Sequence, residues 1–140
     1  MSANILCAVD LSHDDLSTRL LHRAAQLAEL DSATLNVITV LPDFGMSIVG
    51  SYFAAGAMEK AISDANAELH KLVEQALPDR SVRHITKIGP IYQEVLKAAS
   101  DMEASLIVIG AHRPDFSDYF LGPNAARVVR HASASVLVVR

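Results

Sequence analysis

The chain contains no tryptophan, and aromatic residues make up only 5% of its 140 positions. Its core must therefore be built from Val, Ile, Leu and Ala. A single cysteine excludes an internal disulfide and fits a reducing compartment. No excess of basic residues exists: the net charge is −4 with six histidines counted neutral, which argues against broad nucleic-acid or acidic-membrane binding. No apolar run approaches the roughly 18 residues that a membrane helix needs. The opening "MSANILCAVD" lacks a basic region followed by a long apolar stretch, so no signal peptide is expected there. These absences leave a cytoplasmic protein as the expectation, of the size of one domain spanning residues 1–140.

What is present is regular. The chain is 51% hydrophobic and 20% charged, enough to bury a sizeable core. "NILCAV", residues 4–9, is short and nearly all apolar, as a parallel strand buried on both faces should be. Asp10 ends that run, and Ser12 and Asp14 are helix N-cap candidates. Leu16, Leu20, Ala24, Leu27 and Ala28 recur at helical spacing over residues 14–30. "ATLNVITVL", 33–41, is the second strand, and Pro42 stops it. Residues 43–52 show little periodicity and read as a loop, with a long helix over about 53–77. "SVRHITKI", 81–88, alternates in the manner of an edge strand. Gly89-Pro90 turns the chain into a helix at about 91–102. "ASLIVIG", 104–110, is a third apolar strand, a short helix covers 123–132, and "ASVLVVR", 134–140, is the last strand.

Alternation of this kind predicts a parallel sheet with helices on both faces. Right-handed crossovers then require the strand order to reverse somewhere, and at that point the carboxyl ends of two neighbouring strands open a crevice. Strand 1 and "LIVIG" are the most apolar early runs, so the crevice is expected between Asp10 and Gly110.

The order and spacing of "ILCAVDLS", "VITVLP", "GPIYQEVLKAA", "LIVIGAHRP", "FLGPNAARVVRHA" and "VLVVR" resemble the universal stress protein family, in particular its short bacterial members that bind adenine nucleotides. The resemblance spans the whole chain. It implies an open five-stranded α/β sheet of order 3-2-1-4-5, Rossmann-like in the manner of the adenine nucleotide alpha hydrolases. It also implies a homodimer through the last strand, 134–140, and ATP or AMP bound at the switch point. The family's phosphate signature is Gly-x-x-Gly followed at a distance by Gly-Ser/Thr. Here Gly110 is present, Arg113 replaces the second glycine, the spacing to Gly122 is one residue short, and Pro123 stands where a hydroxyl residue is expected.

The chemistry of these positions follows from simple needs. A helix N-terminus offers unpaired N–H groups and partial positive charge to a phosphate. Gly122 as N-cap would permit close approach. Pro123 loses one donor, while Asn124 and Ala125 present theirs. Arg113 can offer a charged fork, and His112 can donate when protonated. The plainer account of the same residues is a strand, a loop and a good helix start. Asp10 can accept from ribose hydroxyls, and the resemblance matches it to a ribose or phosphate-side ligand, acting through water or Mg. It can equally serve as a turn or capping residue. Ile38 and Val40 would lie beside a flat adenine; the resemblance assigns Val40 a backbone contact and makes Ala8 and Val9 the pocket wall. Their side chains are ordinary core residues in either case. Asp10 and His112 are the only nearby groups that could activate water, and neither has an evident orienting partner, so slow ATP hydrolysis is the most that is expected. The alternative is a dimeric interaction module that binds no nucleotide, which Pro123 and Arg113 favour. Cys7 reads as a small buried hydrophobe.

Overall fold

A computed structural model describes residues 3–42, 46–111 and 122–140. The element order is β1 (Asn4–Ala8), α1 (Asp14–Leu30), β2 (Thr34–Leu41), α2 (Met46–Ala76), β3 (Arg83–Ile88), α3 (Ile91–Asp101), β4 (Leu106–Gly110), α4 (Gly122–His131) and β5 (Ser135–Val139). All five strands run parallel in the order β3-β2-β1-β4-β5, as expected. Contacts pair α1 with α2 and α3 with α4, as right-handed crossovers dictate when the order reverses at β1.

The apolar runs fold as strands because each is covered twice. Ile5, Leu6, Cys7 and Ala8 of β1 and Ile107, Val108 and Ile109 of β4 are all buried. So is the whole of β2 from Leu35 to Val40, polar Asn36 and Thr39 included. The Asn36 amide Nδ2 donates to the Ile5 carbonyl at 3.2 Å and ties β2 to β1. Cys7 is fully enclosed, and burial alone pushes its thiol up to about 12. It is the inert hydrophobe expected of it.

Helix α2 departs from the sequence reading. It is already helical at Met46, inside the segment 43–52 read as a loop. The reason is compositional: no proline falls between Pro42 and Pro78, and Met, Ala, Phe and Ile tolerate a helix whose apolar pattern is too even to show a period. Residues 43–45 lie outside the described residues.

Two turns are built alike. After α1, Ser32 takes φ 52° and the Ala33 N–H reaches back to the Ala28 carbonyl at 2.8 Å. After α3, Glu103 takes φ 52° and the Ala104 N–H reaches the Ala99 carbonyl at 2.9 Å. Both are left-handed C-terminal caps. Gly89, at φ 151°, makes the remaining special turn; a β-carbon there would meet the Glu94 carboxyl at 3.1 Å. Pro90 follows as the N-cap of α3, just outside the first helical turn.

Candidate functional site

β1 and β4 pair from Ile5 against Leu106 to Cys7 against Val108, so their carboxyl ends emerge side by side where the strand order reverses. Asp10 leaves the tip of β1, 8% exposed. Its carboxylate Oδ1 accepts two bonds from Ser12, one from the backbone N–H at 2.9 Å and one from the hydroxyl at 2.6 Å. The other oxygen, Oδ2, lies 4.0 Å from Nε2 of His13. The Ser17 hydroxyl, one turn inside α1, accepts from the Asp10 N–H at 3.2 Å and donates to the Asp10 carbonyl at 2.8 Å. Asp10 is thus held at side chain and backbone together. Removing the Ser17 hydroxyl would leave a buried amide unpaired, at about 1–3 kcal/mol.

The sequence missed Ser17. A hydroxyl placed to fall inside the first turns of α1 was the available signal, and it was absorbed into the helical pattern. Ser12 is placed differently from the expectation: His13 is the N-cap of α1, with no side-chain cap bond, because both Ser12 donors turn back to Asp10. The turn-forming role of Asp10 is therefore present in the structure.

Ala8 and Val9 are buried at the end of β1, and the Val9 N–H donates to the Ile38 carbonyl at 2.9 Å. Ile38 and Val40 lie inside β2, with Val40 in register with Lys87 of β3. The walls expected of an apolar pocket are solid core at these positions.

Gly110 is the buried last residue of β4, paired with Val139 of β5. His112 and Arg113 lie outside the described residues. Gly122 opens α4, Pro123 is exposed in its first turn, and Ala125 is buried against the core. The Asn124 Oδ1 accepts the Tyr92 N–H of α3 at 3.2 Å. Tyr92 is held a second way, by the Arg127 guanidinium 5.0 Å from its ring centroid. This α3–α4 clasp was not legible in the sequence, because it joins residues far apart in the chain through one amide and one ring. Among the described residues no three His, Cys, Asp or Glu side chains gather as a metal site, and no helix is long and apolar enough to cross a membrane.

Residues 1–140 match the family described as the Universal stress protein family. Universal stress protein G of Escherichia coli O157:H7 is 32% identical over 145 residues, covering 100% of both chains. A universal stress protein solved in complex with cAMP is similar in structure, with TM-score 0.65 and 22% identity over 99% of this chain and 96% of that one. The universal stress protein of Archaeoglobus fulgidus, solved in complex with dAMP, gives TM-score 0.62 and 20% identity over 99% and 98% of the two chains.

Proposed function

The chain belongs to the universal stress protein family, and from that membership we propose that it binds an adenine nucleotide, ATP or AMP, at the tips of β1 and β4. It then acts in the cytoplasm as a dimeric, nucleotide-dependent regulator of the stress response. One observation carries the reading. Asp10, locked by Ser12 and Ser17, stands at the point where the strand order reverses, and α4 begins in the connection that leaves the neighbouring strand. Open α/β sheets take their ligands at such a point. Two similar folds hold adenine nucleotides, cAMP in one and dAMP in the other.

In this reading Asp10 accepts from the ribose. Ala8, Val9 and Ile38 form the apolar floor, and the Val40 backbone reads the adenine edge. Gly110, His112, Arg113, Gly122, Pro123, Asn124 and Ala125 surround the phosphates. Mg would arrive with the phosphates, which supply most of its oxygen ligands, and meet Asp10 through water. The donor set fits that role, since Asp10 is a carboxylate with neighbouring hydroxyls. Hydrolysis would be slow at most, because the Asp10 carboxylate is engaged by its own turn rather than poised on a water.

The dimer would form through β5. An apolar terminal strand at a sheet edge is a ready partner for its own symmetry copy. A cleft of about 580 Å³ beside it, lined by Ala126, Val129 and Val138 among others, extends the apolar surface.

A second reading, an interaction module without nucleotide, draws support from the same end of α4. Pro123 has no N–H to offer, and the Asn124 Oδ1 is engaged with Tyr92. Mass spectrometry of the denatured purified protein separates the two. Co-purifying adenine nucleotide, with a melting temperature raised by several degrees in saturating ATP-Mg, is expected for the first. Arg113→Ala and Asp10→Asn should shrink that rise. No nucleotide and no rise would leave the interaction module standing.

A further inference from the structure

Helix α2 and the edge strand β3 meet through two histidines. The imidazoles of His70 and His84 stack with centroids 3.6 Å apart and planes inclined by 16°. His70 is exposed and His84 half-buried. Beside them on the same seam, the Thr86 hydroxyl donates to the Asn66 Oδ1 at 3.1 Å. Leu69 and Val73 of α2 are buried, as is Val37 of β2, which stands in register with His84.

A ring stack of this kind tolerates one positive charge and resists two. The charged groups nearest it are exposed to water, which screens what their net charge offers to a second proton. On α2, Glu68, Lys71 and Glu74 lie within a turn of His70 and are all exposed. On β3, Arg83 belongs to the opposite face by strand alternation, as does Ile85. β2 brings Val37 and Thr39, neither of which ionises. Burial holds His84 below the ordinary imidazole range, and the neighbouring His70 pushes it the same way.

We propose that the His70–His84 stack is a proton-operated latch between α2 and β3, closed while at most one ring is charged and released when both are. The sign follows from proton binding. The folded protein takes the His84 proton less readily than the unfolded chain, so the stability this contact contributes is full above the ordinary imidazole pKa, near 6.5, and falls as the pH drops below it. The consequence is local, because if α2 lifts the edge strand keeps only its pairing to β2 and a small contact with α3.

Hydrogen exchange on the full chain tests this, comparing pH 7.5 with pH 5.5 after correction for the intrinsic rate. Amides of β3 and of α2 around His70 should open about tenfold more at the lower pH. Amides of β1 and β4 should change less. His70→Phe keeps a flat ring without its charge, and it should reduce the pH-dependent opening, leaving the part due to burial of His84, and let the His84 ring titrate closer to its ordinary value by NMR. His70→Gln, at an exposed position, should do the same if the Phe variant does not fold. Opening that is independent of pH in the wild type, or that persists unchanged in the variants, overturns the latch.

Discussion

The two edges of the sheet are handled in opposite ways. β3, at one end, carries exposed Arg83 and Lys87 and half-buried His84 along its length. β5, at the other, is Ser135-Val-Leu-Val-Val139 without one charge, and its Val138 is 37% exposed. Charged side chains on an edge discourage a further strand from adding, and an uncharged apolar edge invites one. The contrast teaches that openness alone does not define an interface. Among the described residues neither edge has a further strand on its outer side, and the side chains set how readily each would accept one.

The largest effect separates both edges from the middle. With its thiol pushed up to about 12 from 9.0, Cys7 should be alkylated about a thousandfold more slowly at pH 8 than a free thiol. Rapid iodoacetamide labelling of the native protein would show that the central strand opens as easily as the edges. Next, for the dimer proposed through β5, Val138→Lys should raise the dissociation constant by about a hundredfold, since it sets like charges against each other across a two-fold axis. Sedimentation would read this directly, and an unchanged dimer would move the seam away from β5. The converse change, Arg83→Val with Lys87→Val, should give β3 the character of β5. Light scattering should then show concentration-dependent association into species larger than the proposed wild-type dimer. The smallest effect is expected for Lys87→Ala alone, within about 0.5 kcal/mol in urea unfolding, because an exposed single substitution removes little. A larger loss would mean that Lys87 holds the strand as well as guarding it.

How much of this was legible depended on the range of the interaction. Strands β1, β2 and β4 are covered on both faces, so they appear as unbroken apolar runs and need no partner to be recognised. The alternation of β3 gave away its half-exposed position. The start of α2 was hidden because Met46 to Gly50 carries no polar face to mark a period. Asp10 was found because it interrupts an apolar run, but the Ser17 that holds it was not, since a hydroxyl inside an amphipathic helix looks like one more polar position. The His70–His84 stack and the Asn124–Tyr92 bond were invisible for a different reason. Each joins elements brought together only by the crossover topology, and nothing in the local pattern of either residue records its partner.

The matched caps after α1 and α3 have a consequence for how far this protein can be improved. Ser32 and Glu103 each hold a backbone shape that glycine adopts without steric penalty and that other residues adopt at about 1 kcal/mol or more. Both sit on the amino-terminal side of the sheet, at the opposite end from the tips of β1 and β4. Heat tolerance should therefore rise at two corners when one residue apiece is exchanged for glycine, without touching the Asp10 turn.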